Sequence, residues 1–199
     1  GSTDESQKII EKYISIDKRI SLINQKNQGV SMARNKGLAI AKGKYISFLD
    51  ADDTYAPTYI ERMLAPLTLG SKISFCKYKK ITENGEILVK TPEEITSLYL
   101  NSFINHINKK PYAYADMAFM YDLELLRAHN HLFYTGTTNG EDTEFLLKAT
   151  CLAPKQISFI PEYLYIYLSR TGSATNRELS FPIITSQLSA FYRFKDFIT

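Results

Sequence analysis

Three aspartates lie within four residues at the end of a short apolar run. Residues 44–53 read KYISFLDADD, and their β-forming side chains predict a buried strand that ends in Asp50, Asp52 and Asp53. Carboxylates this close repel one another and resist burial, and a divalent cation would relieve the repulsion. Oxygen ligands suit a hard ion such as Mg²⁺ or Mn²⁺, which carboxylates and substrate phosphates commonly hold together. The alternative is a solvated acidic turn, because Asp is common in turns.

Two further carboxylates, Glu141 and Asp142, follow a polar loop at 135–140 and begin a predicted helix. Negative charge at a helix N-terminus interacts favourably with the helix dipole, by about 0.3–1 kcal/mol, which is a sufficient structural reason for the pair. The functional interpretation is that one of them is a general base, held where it can reach a hydroxyl. The pair by itself does not decide between the two interpretations.

Small residues surround Arg34 and Asn35 in the segment 29–37, GVSMARNKG. They allow a backbone to approach a ligand closely, and the start of the predicted helix offers N–H groups to an anion. Arg34 could then donate charge-assisted hydrogen bonds to a nucleotide. For this segment alone, a surface arginine on a tightly packed helix is the simpler interpretation.

The order of the predicted elements places the acidic run at an edge of a sheet. A short strand over Ile20–Ile23, a helix capped by Ser31 and the strand into Asp50 follow one another. This alternation favours an α/β fold with a mostly parallel central sheet flanked by crossover helices. Ligands of such sheets bind beyond the carboxyl ends of the strands, where Asp50 is predicted to lie.

The remainder of the chain continues the pattern of helices and strands. We predict a helix after Pro57, a strand over 72–78, a hairpin turn at 83–86, helices over 91–106 and 123–129, and short strands at 157–160 and 163–168. The last helix, over 181–198, carries Ile184, Leu188 and Phe191 at helical spacing. This stripe predicts packing on the protein or on a partner subunit, and contact of the aromatic and basic end with an anionic membrane is the alternative.

Composition limits the classes of function. The 199 residues are 44% hydrophobic and 23% charged, which is typical of a globular domain with an appendage. The net charge of +3 is small and its basic residues are scattered, so no nucleic-acid partner is expected. The two cysteines lack metal-ligand spacing, and neither a signal peptide nor a membrane-spanning run is present in the sequence, which predicts a cytoplasmic protein.

Four sequence blocks occur in order: GSTDES at 1–6, NxGVSxARNxG at 27–37, FLDADD at 48–53 and GEDxxF at 140–145. Together they resemble the inverting family-two glycosyltransferases, which have the Rossmann-like GT-A fold of nucleotide-diphospho-sugar transferases. The resemblance extends over residues 1–175, and 176–199 would form a separate amphipathic helix. It implies that the initial strand–helix–strand unit of the family precedes Gly1 and is missing from this sequence.

The resemblance also implies roles for individual residues. The Asp-x-Asp segment of the family binds the nucleotide-sugar and its metal, Mn²⁺ or Mg²⁺, so Asp50 would face the ribose side and Asp52 the metal. Arg34 and Asn35 would contact the nucleotide. The aspartate of the Glu-Asp pair is the catalytic base in the family, which corresponds to Asp142, with Glu141 beside it.

The activity implied is transfer of a sugar from a nucleotide-sugar, with UDP as the expected nucleotide, to an acceptor hydroxyl with inversion. The acceptor would be a glycan or a lipid-linked precursor of surface polysaccharide, assembled on the cytoplasmic side of the membrane. One departure concerns Arg170, which stands in the late loop where many relatives have a histidine that helps at the metal. Arginine has no acceptor lone pair and so cannot ligate an ion, but it can contact a diphosphate.

Two other interpretations of the same residues remain open. The run FLDADDT at 48–54 also fits a phosphohydrolase of the haloacid-dehalogenase type, with Asp50 as nucleophile. The block at 140–145 does not supply the acidic loop of that class, and Arg34 would then be unexplained. A non-catalytic nucleotide- or sugar-binding remnant is the second interpretation, because the first strands are missing.

Overall fold

The computed structural model describes residues 1–90, 117–137, 139–153, 155–170 and 180–199. These residues form two compact units, Gly1–Ala41 and Lys42–Thr199. The predicted division at 175/176 concerns residues outside this description and stays a prediction, as does the predicted helix over 91–106.

The first unit contains helices α1 (Ser6–Ile16) and α2 (Val30–Ile40). The prediction of a strand over Ile20–Ile23 is wrong, because this segment is irregular. A short apolar run becomes a strand only when a neighbouring strand pairs with its backbone, and no strand of the described residues pairs with it. The predicted cap of α2 is also displaced: the N-cap residue is Gly29 at φ 84°, two residues before Ser31, and Ser31 is buried in the first turn.

The second unit is built on a six-stranded sheet with the order β1-β5-β3-β6-β2 and with β4 paired to β3. Its strands are β1 (Tyr45–Ser47), β2 (Thr54–Tyr55), β3 (Ile73–Thr82), β4 (Ile87–Lys90), β5 (Phe119–Asp122) and β6 (Ile157–Ser169). Its described helices are α3 (Tyr59–Thr68), α4 (Leu123–Ala128), α5 (Glu141–Leu152) and α6 (Phe181–Ile198). The predicted hairpin is confirmed, since β3 and β4 are antiparallel neighbours joined through Gly85 at φ 83°.

The α/β class is confirmed, but the sheet is mixed rather than mostly parallel. Among the described residues, β3 pairs in parallel with β6, and the other neighbouring strands are antiparallel. β1, β3 and β6 do run in one direction, as the alternation of strands and helices predicted. However, β5 enters between β1 and β3 in the opposite direction, and local sequence patterns cannot show such an insertion.

A single long strand, β6, replaces the two short strands predicted at 157–160 and 163–168. Its pairing with β3 shifts in register twice, at Pro161 and Glu162 between Cys76 and Lys77, and at Leu164 between Lys77 and Tyr78. A proline cannot donate a ladder hydrogen bond, so a bulge at this point lets the strand continue. β6 therefore runs on to Ser169 and places Arg170 directly after its end.

The last helix, α6, packs through a different face from the predicted one. Ala190 and Phe194 are buried, whereas Ile184, Leu188 and Phe191 are 42%, 52% and 59% exposed. The prediction that this stripe packs on the protein is wrong, and its packing on a partner subunit stays a prediction. No helix of the described part of the chain has the length and apolar character needed to cross a membrane.

Candidate active site

The acidic run forms a turn that begins at Asp50, three residues after the end of β1 at Ser47. The N–H of Asp53 donates to the carbonyl of Asp50 at 3.1 Å, which closes the turn. The residues before it are held by hydroxyl groups: Ser47 Oγ lies 2.9 Å from the Tyr55 hydroxyl and 2.8 Å from the Tyr59 hydroxyl. The hydroxyl of Tyr55 also donates to the carbonyl of Phe48 at 2.9 Å. The chain on both sides of the turn is thus tied together, which restricts where its carboxylates can point.

Asp53 joins this turn to β6. Its side chain is only 6% exposed, and its two oxygens accept hydrogen bonds from the Tyr165 hydroxyl and, at 3.0 Å, from the N–H of Leu168. Burial raises the pKa of Asp53, while the two hydrogen bonds favour its ionised form and oppose that shift. Both oxygens are therefore engaged by the protein, so Asp53 acts as an anchor rather than as a ligand for a substrate.

Asp52 points to the end of β6 and pairs with Arg170. Arg170 Nη2 lies 2.7 Å from Asp52 Oδ2, and both side chains are partly exposed. The hydrogen bond to Asp52 raises the pKa of Arg170. Asp50, the other carboxylate assigned to the donor, is half-buried in the same turn. The structure thus brings together three of the predicted donor-site residues, and the anchor through Asp53 fixes their strands relative to one another.

The second acidic pair begins α5, as predicted. Gly140 is the N-cap residue with φ 86°, a conformation that other residues rarely adopt. Glu141 is buried, and Asp142 is half-buried with its Oδ1 accepting a hydrogen bond from the N–H of Thr143 at 2.8 Å. The first-turn position places the Asp142 carboxylate at the positive end of the helix dipole, where a negative charge interacts favourably. A carboxylate held in this way is suited to accept a proton.

Aromatic side chains connect the two acidic segments. Phe48, two residues before Asp50, packs edge-to-face on Phe145, three residues after Asp142, with ring centroids 5.7 Å apart. Phe133 lies against both rings, at 5.0 Å from Phe48 and 3.9 Å from Phe145. Phe48 and Phe145 belong to the same sequence blocks as the carboxylates. The acidic turn and the start of α5 therefore share one packed core, which brings the predicted donor and base segments to the same region of the second unit.

Asp50 and Asp52 can be assessed as ligands of a divalent ion. Asp50 and Asp52 offer hard oxygen atoms in one turn, which fits Mg²⁺ or Mn²⁺ if substrate oxygens complete the coordination. Within the described ranges, no group of three or more His, Cys, Asp or Glu side chains is placed to hold an ion. Asp52 Oδ2 also already accepts from Arg170, so an ion would share or displace that contact. The residues fit an ion that depends on the diphosphate for most of its ligands.

Arg34 and Asn35 lie in α2 of the first unit, and both are half-buried. The expected helix is confirmed around them. Their contact with a nucleotide stays a prediction. Sequence reasoning did not identify the anchoring role of Asp53 or its partner Tyr165. A third carboxylate beside an Asp-x-Asp run was the only sequence signal for it.

Comparison with solved structures gives the class of the fold. The crystal structure of S. aureus TarS in complex with UDP-GlcNAc aligns with 99% of this chain and 55% of the TarS chain, with a TM-score of 0.79 and 22% sequence identity. The mixed sheet and the helices around it thus have the architecture of the GT-A glycosyltransferase fold.

The family follows from the sequence. Residues 1–132 match the family model for glycosyl transferase family 2, and the chain belongs to that family. Bacillus subtilis (strain 168) EpsJ, an uncharacterized glycosyltransferase, is 29% identical over 180 residues, which are 88% of this chain and 52% of EpsJ. TuaG of the same organism, whose name refers to teichuronic acid biosynthesis, is 36% identical over 100 residues, or 48% of this chain and 40% of TuaG.

These matches confirm the family resemblance that the four sequence blocks indicated. The phosphohydrolase interpretation of the run at 48–54 is thereby set aside, because the same run belongs to a glycosyltransferase family. The chain spans about half the length of two curated relatives, the Bacillus subtilis (strain 168) glycosyltransferases EpsH and EpsJ.

Proposed function

We propose that this chain carries the catalytic site of an inverting, metal-dependent glycosyltransferase. It would transfer a sugar from a UDP-sugar to an acceptor hydroxyl during synthesis of a surface polysaccharide. The observation that carries the proposal is the common aromatic core beneath the acidic turn and the Glu141–Asp142 segment, in a chain of family 2. The UDP-GlcNAc complex of TarS supports a nucleotide-sugar donor, and the name of TuaG supports a polysaccharide product.

Asp142 is proposed to be the base. The acceptor hydroxyl attacks the anomeric carbon from the face opposite the nucleotide, the bond from that carbon to the diphosphate breaks, and the acceptor proton passes to the Asp142 carboxylate. The hydrogen bond from Thr143 and the start of α5 orient and stabilise this carboxylate before it accepts the proton. Glu141 is buried behind it and is assigned a supporting role.

The donor is proposed to bind through Arg34, Asn35, Asp50, Asp52 and Arg170. A divalent ion bound by Asp50 and Asp52 would supply positive charge to the departing diphosphate. Arg170 donates from a planar guanidinium that matches phosphate oxygens, and its contact with Asp52 holds it at the ion-binding carboxylate. The protein thus presents a second positive charge at the diphosphate position, next to the one that the ion supplies.

The acceptor is proposed to be a glycan or lipid-linked precursor on the cytoplasmic side of the membrane. A peripheral contact through the end of α6 has less support than the sequence indicated. The aromatic and basic end of this helix comprises Phe191, Arg193, Phe194, Lys195 and Phe197. Arg193 is paired with Glu144 and Phe194 is buried, so two of these five residues are engaged by the protein.

The proposal is tested by comparing Asp142→Asn with Glu141→Gln. Asparagine is nearly isosteric and cannot accept a proton, so UDP release from the best substrate of a UDP-sugar panel should fall by about 10²–10⁴-fold. UDP affinity, measured by calorimetry with Mn²⁺ present, should stay within about twofold. Glu141→Gln should have a smaller defect in turnover.

Near-parental turnover of Asp142→Asn together with an inactive Glu141→Gln would move the base to Glu141. Binding of UDP with no turnover of any nucleotide-sugar by the parent protein would instead favour the non-catalytic binding module.

A further inference from the structure

The loop that leads into α5 is hydrogen-bonded to the last helix, α6. Ser186 Oγ donates to the main-chain carbonyl of Asn139 at 2.9 Å and accepts from the N–H of the same residue at 3.2 Å. The Thr137 hydroxyl also donates to the Asn139 carbonyl at 3.0 Å and contacts Ser186 Oγ. A single side chain of α6 therefore satisfies both main-chain polar groups of a residue that stands two positions before Glu141.

The approach of α6 to this loop is close. A Cβ atom built on Gly140 would lie 3.2 Å from Ala190 Cβ and 3.4 Å from the Cα of Gln187. Because Gly140 also has φ 86°, both its backbone conformation and its contact with α6 require the absence of a side chain. The first turn of α5 therefore begins at a point where α6 restricts the path of the backbone.

One turn further along α5, a buried cluster of charged side chains also joins α5 to α6. Glu144 is 4% exposed, and its Oε2 accepts a hydrogen bond from Arg193 Nε at 2.9 Å and lies 2.7 Å from Arg193 Nη2 in the same ion pair. Its Oε1 accepts from Lys148 Nζ at 2.7 Å. The guanidinium of Arg193 lies 3.7 Å from the ring centroid of Tyr134. This charge-assisted contact between a buried carboxylate of α5 and a guanidinium of α6 restrains the position of one helix on the other.

We propose that α6 is a positioning element for the catalytic loop, and that Ser186 is a positioning residue which acts through Asn139 and Gly140 on Asp142. This inference rests on the proposed role of Asp142 as base. Asp142 follows Asn139 by three positions, so a displacement of the Asn139 peptide moves the carboxylate almost directly. A misplacement of about 1 Å can cost roughly 10²-fold in rate, and loss of one of several restraints should cost less, about tenfold.

The experiment compares Ser186→Ala with Ser189→Ala in the same protein. Ser189 is the matched control, because its hydroxyl lies on the same helix, is exposed, and donates to the carbonyl of Thr185 at 2.8 Å within α6. Ser186→Ala should lower kcat for UDP release about tenfold, with the KM for the donor and the Kd for UDP within about twofold of the parent. Ser189→Ala should leave all three unchanged, and Ser186→Thr, which keeps a hydroxyl, should recover most of kcat.

A second measurement does not depend on turnover. Hydrogen exchange of the peptide that contains residues 139–144 should be at least about fivefold faster in Ser186→Ala than in the parent, since the Asn139 N–H loses its acceptor. Exchange in Ser189→Ala should match the parent. Unchanged exchange in this peptide, or a loss of UDP affinity as large as the loss of kcat, would overturn the positioning role.

The two proposals fail in different ways. If Asp142→Asn is inactive and Ser186→Ala retains parental kcat and exchange, the base assignment stands and the role of α6 is wrong. If Asp142→Asn is fully active while Ser186→Ala accelerates exchange, α6 restrains the loop but the loop does not carry the base. In that case the inference for catalysis is also overturned.

Discussion

Asp53 provides the most direct test of how the donor turn is held. Asp53→Ala removes the acceptor of the Tyr165 hydroxyl and of the Leu168 N–H, both of which are donors inside the second unit. Hydrogen bonds to a charged group contribute about 1.5–3 kcal/mol each, so the gross loss is about 3–6 kcal/mol. Part of it is offset, because the raised pKa of Asp53 shows that burial of the ionised carboxylate is itself unfavourable. We expect a net decrease of about 2–4 kcal/mol in the free energy of unfolding.

Asp53→Asn removes the negative charge but keeps an acceptor oxygen, so comparison with Asp53→Ala separates the effect of the charge from that of the hydrogen bonds. The asparagine amide keeps one oxygen acceptor, and the tyrosine hydroxyl can accept as well as donate, so the expected loss is about 1 kcal/mol. The pH dependence has a definite sign. With a folded-state pKa above its unfolded value of 3.8, the Asp53 carboxyl holds its proton more tightly in the folded protein. Its contribution to the free energy of unfolding therefore falls as pH rises from 3.8 through the higher folded-state pKa. Asp53→Asn should lack this pH-dependent component.

The assay is urea unfolding followed by far-UV circular dichroism, with UDP affinity measured on the same samples. A double-mutant cycle with Tyr165→Phe should give a coupling free energy of about 1–2 kcal/mol, because the two groups share one hydrogen bond. Asp196→Ala, at an exposed position of α6, is the control and should change stability by less than about 0.5 kcal/mol. A stability loss in Asp53→Ala no larger than in this control, with no coupling to Tyr165, would refute the anchoring role.

Two further perturbations test other contacts. Asp52→Ala should reduce UDP affinity in Mn²⁺ to the value measured in EDTA, because the ion loses a ligand oxygen, and equal affinity of variant and parent in Mn²⁺ would contradict the metal assignment. Asp122→Ala should cost about 1–3 kcal/mol in urea unfolding, since Asp122 caps α4 and pairs with Lys72 at 2.7 Å, whereas Asp122→Asn should lose less because it keeps the cap. Burial raises the pKa of Asp122, but the Lys72 and capping hydrogen bonds outweigh it and bring that pKa below 3.8. The stabilisation should therefore be complete above about pH 3.8 and be lost as pH falls through the lower folded-state pKa.

The sequence by itself determined the features that depend on neighbouring residues. The strand before the acidic turn, the hairpin at Gly85 and the start of α5 at Glu141 each have their own turn, cap or periodicity signals within a few residues. The four ordered blocks also identified the family, since their order and spacing are properties of the sequence alone. Local chemistry was enough to locate the carboxylates along the chain, and to place two of the phenylalanines that pack beneath them.

The tertiary structure decided which of these elements meet. The partners of Asp53 are 112 and 115 residues away in sequence, and that of Asp52 is 118 residues away. The insertion of β5 between β1 and β3 is likewise a long-range feature. Several strands have the apolar sequence pattern of a central strand, so the pattern does not show which of them become neighbours.

The last helix shows why such choices escape sequence reasoning. The stripe of Ile184, Leu188 and Phe191 and the face of Ala190 and Phe194 both recur at helical spacing, and the more apolar stripe is the exposed one. α6 packs through the other face because that face allows close contact with Gly140 and places Arg193 on the buried carboxylate of Glu144. Periodicity shows that a helix has an apolar side, but the complementary surface that selects a side exists only after the chain has folded.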